Sequence, residues 1–127
     1  MLDDRKILVV EDEALLALDL SMTLEGEGAW VAGPFATVDT ALPACAARID
    51  AAILDVDLCG STSFPVADAL CSAGVPFVFH TGRSDLAALR ARYGEDVPII
   101  VKPARASEVL NVLESLLPHT QARSMVA

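Results

Sequence analysis

The sequence has 127 residues and a net charge of −9, with 9 Lys and Arg against 18 Asp and Glu. That length matches a single domain, and it is long enough to bury a core without disulfides. The acidic balance argues against nucleic acid as a partner, because a phosphate backbone is bound by a basic surface.

The N-terminal residues are not followed by an apolar stretch long enough for a signal peptide, and no run approaches a membrane span. We therefore predict a cytoplasmic protein with no membrane partner. Cys45, Cys59 and Cys71 are odd in number and lack metal-ligand spacing, which predicts small buried thiols in a reducing compartment.

The first part of the chain predicts strand, helix, strand and helix in turn. Residues 6–10 form a β-branched run closed by acids, and the leucines of 13–27 recur at helical spacing. A second strand is predicted over 29–33, where a Gly-Pro pair ends it. Thr37 is a candidate N-cap for a helix over 37–49, which has a proline in its early turns.

The rest of the chain continues the alternation, with glycines closing several helices. Five strands alternating with five helices predict a five-stranded parallel sheet with helices on both faces, an α/β class fold. We predict one domain over 1–127, with a core of about 5–117 and a polar tail over 118–127. The further predicted strands are 50–55, 76–80 and 97–101, and the further helices are 65–73, 84–93 and 107–117.

Polar side chains follow four of the predicted strands. Glu11 and Asp12 come after the first strand, Asp55 ends the third, Thr81 follows the fourth and Lys102 follows the fifth. Functional groups of open parallel sheets gather at the carboxyl ends of the strands. These five side chains are therefore expected to meet at one edge of the sheet.

Carboxylates that converge in this way repel each other unless a cation or shared protons lie between them. Mg²⁺, which binds a few carboxylates together with phosphate oxygens and water, fits such a site. Asp55 can attack phosphorus as a nucleophile, while Lys102 and Thr81 contact the phosphoryl oxygens. Taken alone, each residue also suits a structural role, such as a first-turn acid or a turn residue. Their coincidence at four strand ends favours a functional site.

With these residues in this order, the chain resembles the receiver domains of bacterial response regulators, over nearly its whole length. The resemblance implies a (βα)₅ flavodoxin-like receiver fold. It implies that Asp55 is the phosphoacceptor, Thr81 the switch hydroxyl, and Lys102, followed by Pro103, the lysine of the site.

The same resemblance implies a cofactor and partners. Mg²⁺ would be ligated by Asp12, Asp55 and the backbone carbonyl of Asp57, with Glu11 helping through water. The implied phosphodonor is a sensor histidine kinase or a histidine phosphotransfer protein. Without a DNA-binding output domain, the signal would pass through contacts with a downstream protein target, around the helix predicted over 84–93. Self-phosphorylation from small phosphodonors and self-dephosphorylation are expected rather than enzymatic turnover.

Phe79-His80-Thr81-Gly82 resembles a single-domain receiver subfamily named for a Phe-Ala-Thr-Gly-x-Tyr stretch. His80 replaces the alanine of that stretch, and serine replaces its tyrosine. In many receivers an aromatic residue three positions before the lysine reports phosphorylation. Here that residue is Ile99, so aromatic–hydroxyl coupling is not available in its usual form.

Two further residues are predicted to influence the site. Asp57 lies two residues after the acceptor, and Arg83 lies two residues after Thr81, so both are expected to overlook the phosphoryl group. We predict that they pair across the mouth of the site and restrict the attacking water. Gly82 and Pro103 are further modulating positions.

The sequence is also compatible with two other functions. Asp55-Val56-Asp57 resembles the first motif of haloacid-dehalogenase-like phosphatases, with Asp55 as nucleophile and Asp57 as general acid and base. The late acidic metal ligands of that superfamily are missing, however, and the Glu11–Asp12 pair is unused in it. The second alternative is a pseudo-receiver that binds partners without phosphorylation, which a failure to bind Mg²⁺ would support.

Overall fold

The structure is a computed structural model, and it describes residues 2–118. All of the predicted tail except Pro118 therefore lies outside the described residues. The strands are β1 (Lys6–Val10), β2 (Trp30–Phe35), β3 (Ala51–Leu54), β4 (Asp57–Leu58), β5 (Ser61–Thr62), β6 (Phe77–Thr81) and β7 (Ile99–Val101). The helices are α1 (Ala14–Gly26), α2 (Val38–Ala41), a 3₁₀ helix (Leu42–Ala46), α3 (Phe64–Ser72), α4 (Ala87–Tyr93) and α5 (Ala106–Ser115).

Five strands form one parallel sheet in the order β2-β1-β3-β6-β7. The chain order reverses between β1 and β3, which leaves a crevice beyond the carboxyl ends of these two strands. This confirms the predicted parallel sheet and the flavodoxin-like fold. It also places the residues that follow β1 and β3 next to each other at the reversal point.

The core has two layers, because alternate side chains of each strand face opposite sides of the sheet. On one side, β1, β3 and β6 pack against α1 and α5 through buried residues such as Leu20 and Leu113. On the other side they pack against α2, α3 and α4 through residues such as Leu70 and Leu89. Full burial of one such side chain contributes about 1.5–3 kcal/mol.

The predicted end of the second strand at Gly33–Pro34 is wrong. β2 continues through this cis peptide bond to Phe35, with a register shift against β1. Gly33 has φ +104°, and a Cβ there would lie 2.9 Å from the carbonyl oxygen of Val9, so glycine is required. An edge strand tolerates proline because one side of its backbone has no partner strand.

The second predicted helix is shorter than expected. Thr37 caps α2 as predicted, because its hydroxyl accepts a hydrogen bond from the amide of Thr40 at 3.2 Å. The α-helix ends at Ala41 and continues as the 3₁₀ helix, in which Pro43 occupies an early position. Proline lacks the amide hydrogen and its ring clashes with the preceding turn, which explains the break.

Three smaller features also differ from the sequence prediction. Ser84 does not cap α4, whose N-cap position is Leu86 and has no side-chain hydrogen bond. The predicted loop after β3 contains an antiparallel hairpin of β4 and β5. Cys59 and Cys71 are exposed rather than buried, and Cys45 is partly buried; all three are free thiols. The remaining predicted elements are confirmed, with ends shifted by a few residues. Within residues 2–118, no helix has the length and apolar character to cross a membrane.

Candidate functional site

Backbone hydrogen bonds fix the two carboxylates that follow β1 and β3. The amide of Asp55 donates to the carbonyl of Val10 at 2.9 Å, and the amide of Glu11 donates to the carbonyl of Phe35 at 2.9 Å. The second bond requires β2 to continue to Phe35, as it does. The sheet therefore holds Glu11 and Asp55 beside each other at the reversal point.

Lys102 connects these two carboxylates. Its Nζ lies 3.0 Å from Oδ2 of Asp55 and 3.1 Å from Oε1 of Glu11. Its amide donates to the carbonyl of Thr81 at 2.7 Å, which ties the lysine to the end of β6. Lys102 thus contacts the ends of β1 and β3 through its ammonium group and the end of β6 through its backbone amide, at the strand ends that the sequence predicted.

Burial of this cluster shifts the pKa values of its charged side chains. Desolvation raises the pKa of Glu11 to about 7, and the charge of Asp55 adds to the rise, against the opposing hydrogen bonds from the Glu13 amide and Lys102. Burial alone lowers the pKa of Lys102, but its bonds to Asp55 and Glu11 outweigh this and raise it, so the ammonium stays charged. One ammonium does not fully compensate two buried carboxylates, which leaves room for a further cation.

The oxygens of Glu11, Asp12 and Asp55 fit such a cation. One carboxylate oxygen from each lies within 4.8 Å of the others, and Asp12 is exposed while the other two are buried. Hard carboxylate oxygens at an open edge are the donor set that Mg²⁺ prefers. The part played by the backbone carbonyl of Asp57 stays a prediction.

Thr81 is fully buried at the end of β6, and its Oγ1 accepts a hydrogen bond from the amide of Arg83 at 3.1 Å. A hydroxyl that accepts in this way retains its own proton for donation. Gly82 between them is exposed, and Pro103 follows Lys102 through a cis peptide bond. How these two positions modulate the site stays a prediction.

Asp57 and Arg83 are in contact across the mouth of the site. Nε and Nη2 of Arg83 donate to Oδ2 and Oδ1 of Asp57, each at 2.8 Å. The hydrogen bonds from Arg83 hold the pKa of the Asp57 carboxyl below its ordinary value. Both side chains are partly exposed, so the pair contributes about 0–1 kcal/mol to stability. The kinetic role of the pair stays a prediction.

The sequence favours a hydrogen-bonded core histidine at position 80, which is wrong among the described residues, and it assigns no role to the outer face of α1. His80 is 1% exposed, and neither ring nitrogen has a hydrogen-bond partner among the described residues. Burial lowers its pKa, and the charge of Lys102 acts in the same direction. On α1, Leu15, Leu18 and Met22 are 80%, 54% and 62% exposed. Leu16, Leu20 and Leu24 recur at helical spacing and mark the core side of α1, so the apolar residues on its other side were the available signal.

A doubly wound α/β domain with this acidic cluster at its reversal point has close structural relatives. A response regulator receiver protein from Sinorhizobium medicae WSM419 is 26% identical, over 91% of this chain and 96% of that one, with a TM-score of 0.78. SdrG from Sphingomonas melonis Fr1 is 42% identical, over 89% of this chain and 96% of that one, with a TM-score of 0.74. Neither a protein-family model nor a curated protein sequence matches the chain.

A third relative is the response regulator protein TrrA from Thermotoga maritima, solved in complex with Mg(2+)-BeF. It is 23% identical, over 89% of this chain and 99% of that one, with a TM-score of 0.74. At that identity the likeness concerns the fold alone. The Sinorhizobium protein lies above that level and is named as a receiver protein. The chain is therefore similar in fold and in sequence to the receiver domains of response regulators.

Proposed function

We propose that this chain accepts a phosphoryl group from a phosphohistidine onto Asp55 in an Mg²⁺-dependent reaction. The observation that carries the proposal is the buried contact of Asp55 with Lys102 and, through it, with Glu11. An oxygen of Asp55 forms the new O–P bond while the N–P bond of the donor breaks. The donor ring leaves as neutral imidazole when its second nitrogen already carries a proton.

The residues around Asp55 have distinct tasks in this reaction. Asp12, Asp55 and the carbonyl of Asp57 would hold the metal, which when bound supplies positive charge against the phosphoryl oxygens. Lys102 places its ammonium against another phosphoryl oxygen, and Thr81 donates its hydroxyl proton to the phosphoryl group. The Mg(2+)-BeF complex of TrrA supports this cofactor by analogy of fold.

The exposed stripe Leu15, Leu18 and Met22 supports a docking role for α1. It begins three residues after Asp12, and a groove of about 380 Å³ beside it is lined by Glu11 and Asp12. An exposed apolar surface of this kind marks a protein contact. We propose that the histidine kinase or phosphotransfer protein docks on this stripe. α1 carries acids but no basic residue, so we expect basic residues around the apolar surface of the donor.

Replacing Leu15 with Gln is expected to slow phosphoryl transfer from a histidine kinase that phosphorylates the wild-type protein. Truncating a central interface side chain costs about 1–2 kcal/mol, which is roughly a tenfold loss of rate. Uptake from acetyl phosphate should stay unchanged, because a small donor needs no docking surface. Both rates are measured by following the phosphorylated protein over time.

Trp30→Gln is the matched control, because Trp30 is 67% exposed and begins β2, at the end of the strand away from the site. An equal loss in Trp30→Gln, or an equal loss with acetyl phosphate in Leu15→Gln, would show that α1 is not the docking surface.

We also propose that the Asp57–Arg83 pair restricts the attacking water. A bidentate pair across the mouth limits the directions from which water reaches phosphorus, and excluding water protects a reactive intermediate. Arg83→Ala is expected to shorten the lifetime of the aspartyl phosphate by about threefold or more. The lifetime is measured after the phosphodonor has been removed.

Arg48→Ala is the control for this change. Arg48 pairs with Asp50 before β3, at the other end of the sheet, and its side chain is 87% exposed. An unchanged lifetime in Arg83→Ala, or an equal change in Arg48→Ala, would remove the assigned role of the pair.

We propose that the chain is related to the Phe-Ala-Thr-Gly-x-Tyr receivers, that it acts in the cytoplasm, and that its output passes to a downstream protein. Support for this finer assignment comes from Phe79-His80-Thr81-Gly82 at the end of β6. The phosphatase alternative is less well supported, because the contact of Glu11 with Lys102 brings the upstream acid into the site. Sustained release of phosphate from small esters would favour the phosphatase.

A further inference from the structure

The C-terminal end of α4 is joined to α3 by a polar cluster of Asp68, Arg92 and Tyr93, called here the Tyr93 clasp. The hydroxyl of Tyr93 donates to Oδ1 of Asp68 at 2.9 Å, and Nη2 of Arg92 donates to Oδ2 at 3.0 Å. Nε of Arg92 donates to the Tyr93 oxygen at 3.1 Å, and its guanidinium lies 4.6 Å from the ring centre of Phe64. Burial raises the pKa of Tyr93 to about 12, so the hydroxyl keeps its proton at neutral pH.

The ring of Tyr93 lies on the strand that ends at the site. Its centre is 5.3 Å from that of Phe79 and 5.9 Å from that of Phe77. Phe79 lies two residues before Thr81, so both side chains face the same side of β6. Ile99, where many receivers have an aromatic residue, pairs with Phe79 on β7. Tyr93 of α4 therefore packs on the aromatic residues of β6 that precede the switch threonine.

Among the described residues, α4 has few other anchors in the core, namely Leu86 and Leu89. The helix has seven residues, of which only Leu89 is fully buried. Its N-cap residue, Leu86, makes no capping hydrogen bond with its side chain. The loop before it contains Arg83, whose amide donates to the Thr81 hydroxyl. A movement of Thr81 towards a phosphoryl group removes the acceptor from this amide and displaces the loop that leads into α4.

We propose that the Tyr93 clasp holds α4 against α3 in the unphosphorylated protein and opens when Asp55 is phosphorylated. The inference rests on the proposed function, because it needs a phosphoryl group on Asp55. The clasp then stabilises the unphosphorylated conformation, whereas a phosphoryl group at the site stabilises the open one. Breaking the clasp should therefore strengthen binding at the site, and binding at the site should weaken the clasp. Opening changes the surface formed by α3 and α4, which is offered to the downstream protein.

The test uses Tyr93→Phe, which keeps the ring and removes the hydroxyl that bonds Asp68. Beryllofluoride with Mg²⁺ serves as the phosphoryl mimic. The variant is expected to bind it about fivefold more tightly than the wild-type protein, because part of the opening has already occurred. Amide hydrogen exchange of α4 should be faster than wild type before the mimic is added, and should rise in the wild-type protein when it is added.

Ser115→Ala is the matched control, since it removes a hydroxyl that bonds a backbone carbonyl on α5, at 2.6 Å from Val112. It should leave both measurements unchanged. The clasp alone would be overturned if wild type and Tyr93→Phe bound beryllofluoride equally well and the exchange of α4 in the wild-type protein were the same with and without it. A wild-type protein that binds no beryllofluoride would overturn the proposed function, and the role of the clasp with it.

Discussion

Replacing Asp55 with Asn is expected to abolish phosphoryl uptake. The amide has nearly the same shape as the carboxylate but is a far weaker nucleophile towards phosphorus. The wild-type protein, incubated with acetyl phosphate and Mg²⁺, should gain a single phosphoryl group, whereas Asp55→Asn should gain none. Omitting Mg²⁺ should also prevent the gain in the wild-type protein. Intact mass measures all three outcomes directly.

This substitution should leave the fold intact, which makes the result easy to interpret. It removes one of two neighbouring buried carboxylates and so relieves repulsion with Glu11, whose pKa the Asp55 charge helps to raise. Asp39→Asn makes the same chemical change at an exposed position of α2 and should be phosphorylated like wild type. A full adduct in Asp55→Asn would show that the acceptor is another residue.

Replacing Lys102 with Ala is expected to impair both stability and phosphoryl uptake. The side chains of Glu11, Asp55 and Lys102 are 1%, 8% and 20% exposed, so the change leaves two buried carboxylates without their partner. Removing one side of a buried ion pair costs about 3 kcal/mol at the lower end of the usual range. The rate of uptake should fall about 100-fold or more, since an ammonium aimed at the phosphoryl group is lost.

The stability cost of Lys102→Ala should grow as the pH rises through neutrality. Glu11 already has a pKa of about 7 in the folded protein, against an ordinary value of 4.5. Between about pH 4.5 and pH 7 the folded protein therefore holds a proton that the unfolded chain releases, and this proton limits the repulsion. Urea unfolding at several pH values, with and without Mg²⁺, measures the effect, and Mg²⁺ should restore part of the stability.

Lys102→Arg keeps the positive charge and is the control for this change. It should recover most of the lost stability, but less of the rate, because the planar guanidinium replaces a point charge. If Lys102→Ala were as stable as wild type above pH 7 without Mg²⁺, the contacts of Lys102 with Glu11 and Asp55 would not be the stabilising feature described above.

The length of β2 and the attachment of α4 to α3 depend on contacts between distant residues, which a local sequence pattern does not contain. Gly-Pro pairs are common in turns, which is why the sequence predicts a strand end at Gly33–Pro34. In the structure, pairing with β1 keeps the strand extended to Phe35. The tyrosine of the clasp and its partner Asp68 are 25 residues apart. No spacing rule connects a helix residue to one in the preceding helix across an intervening strand.

The sequence by itself determined the alternation of strands and helices, and with it the positions of Glu11, Asp12, Asp55, Thr81 and Lys102 at strand ends. It did so because buried parallel strands appear as short apolar runs, and because their carboxyl ends share one edge of the sheet. Only the tertiary structure decided that β2 continues past Gly33–Pro34 and how α4 is held. Both depend on the surfaces that distant segments present to each other, and packing against those surfaces outweighs local propensity.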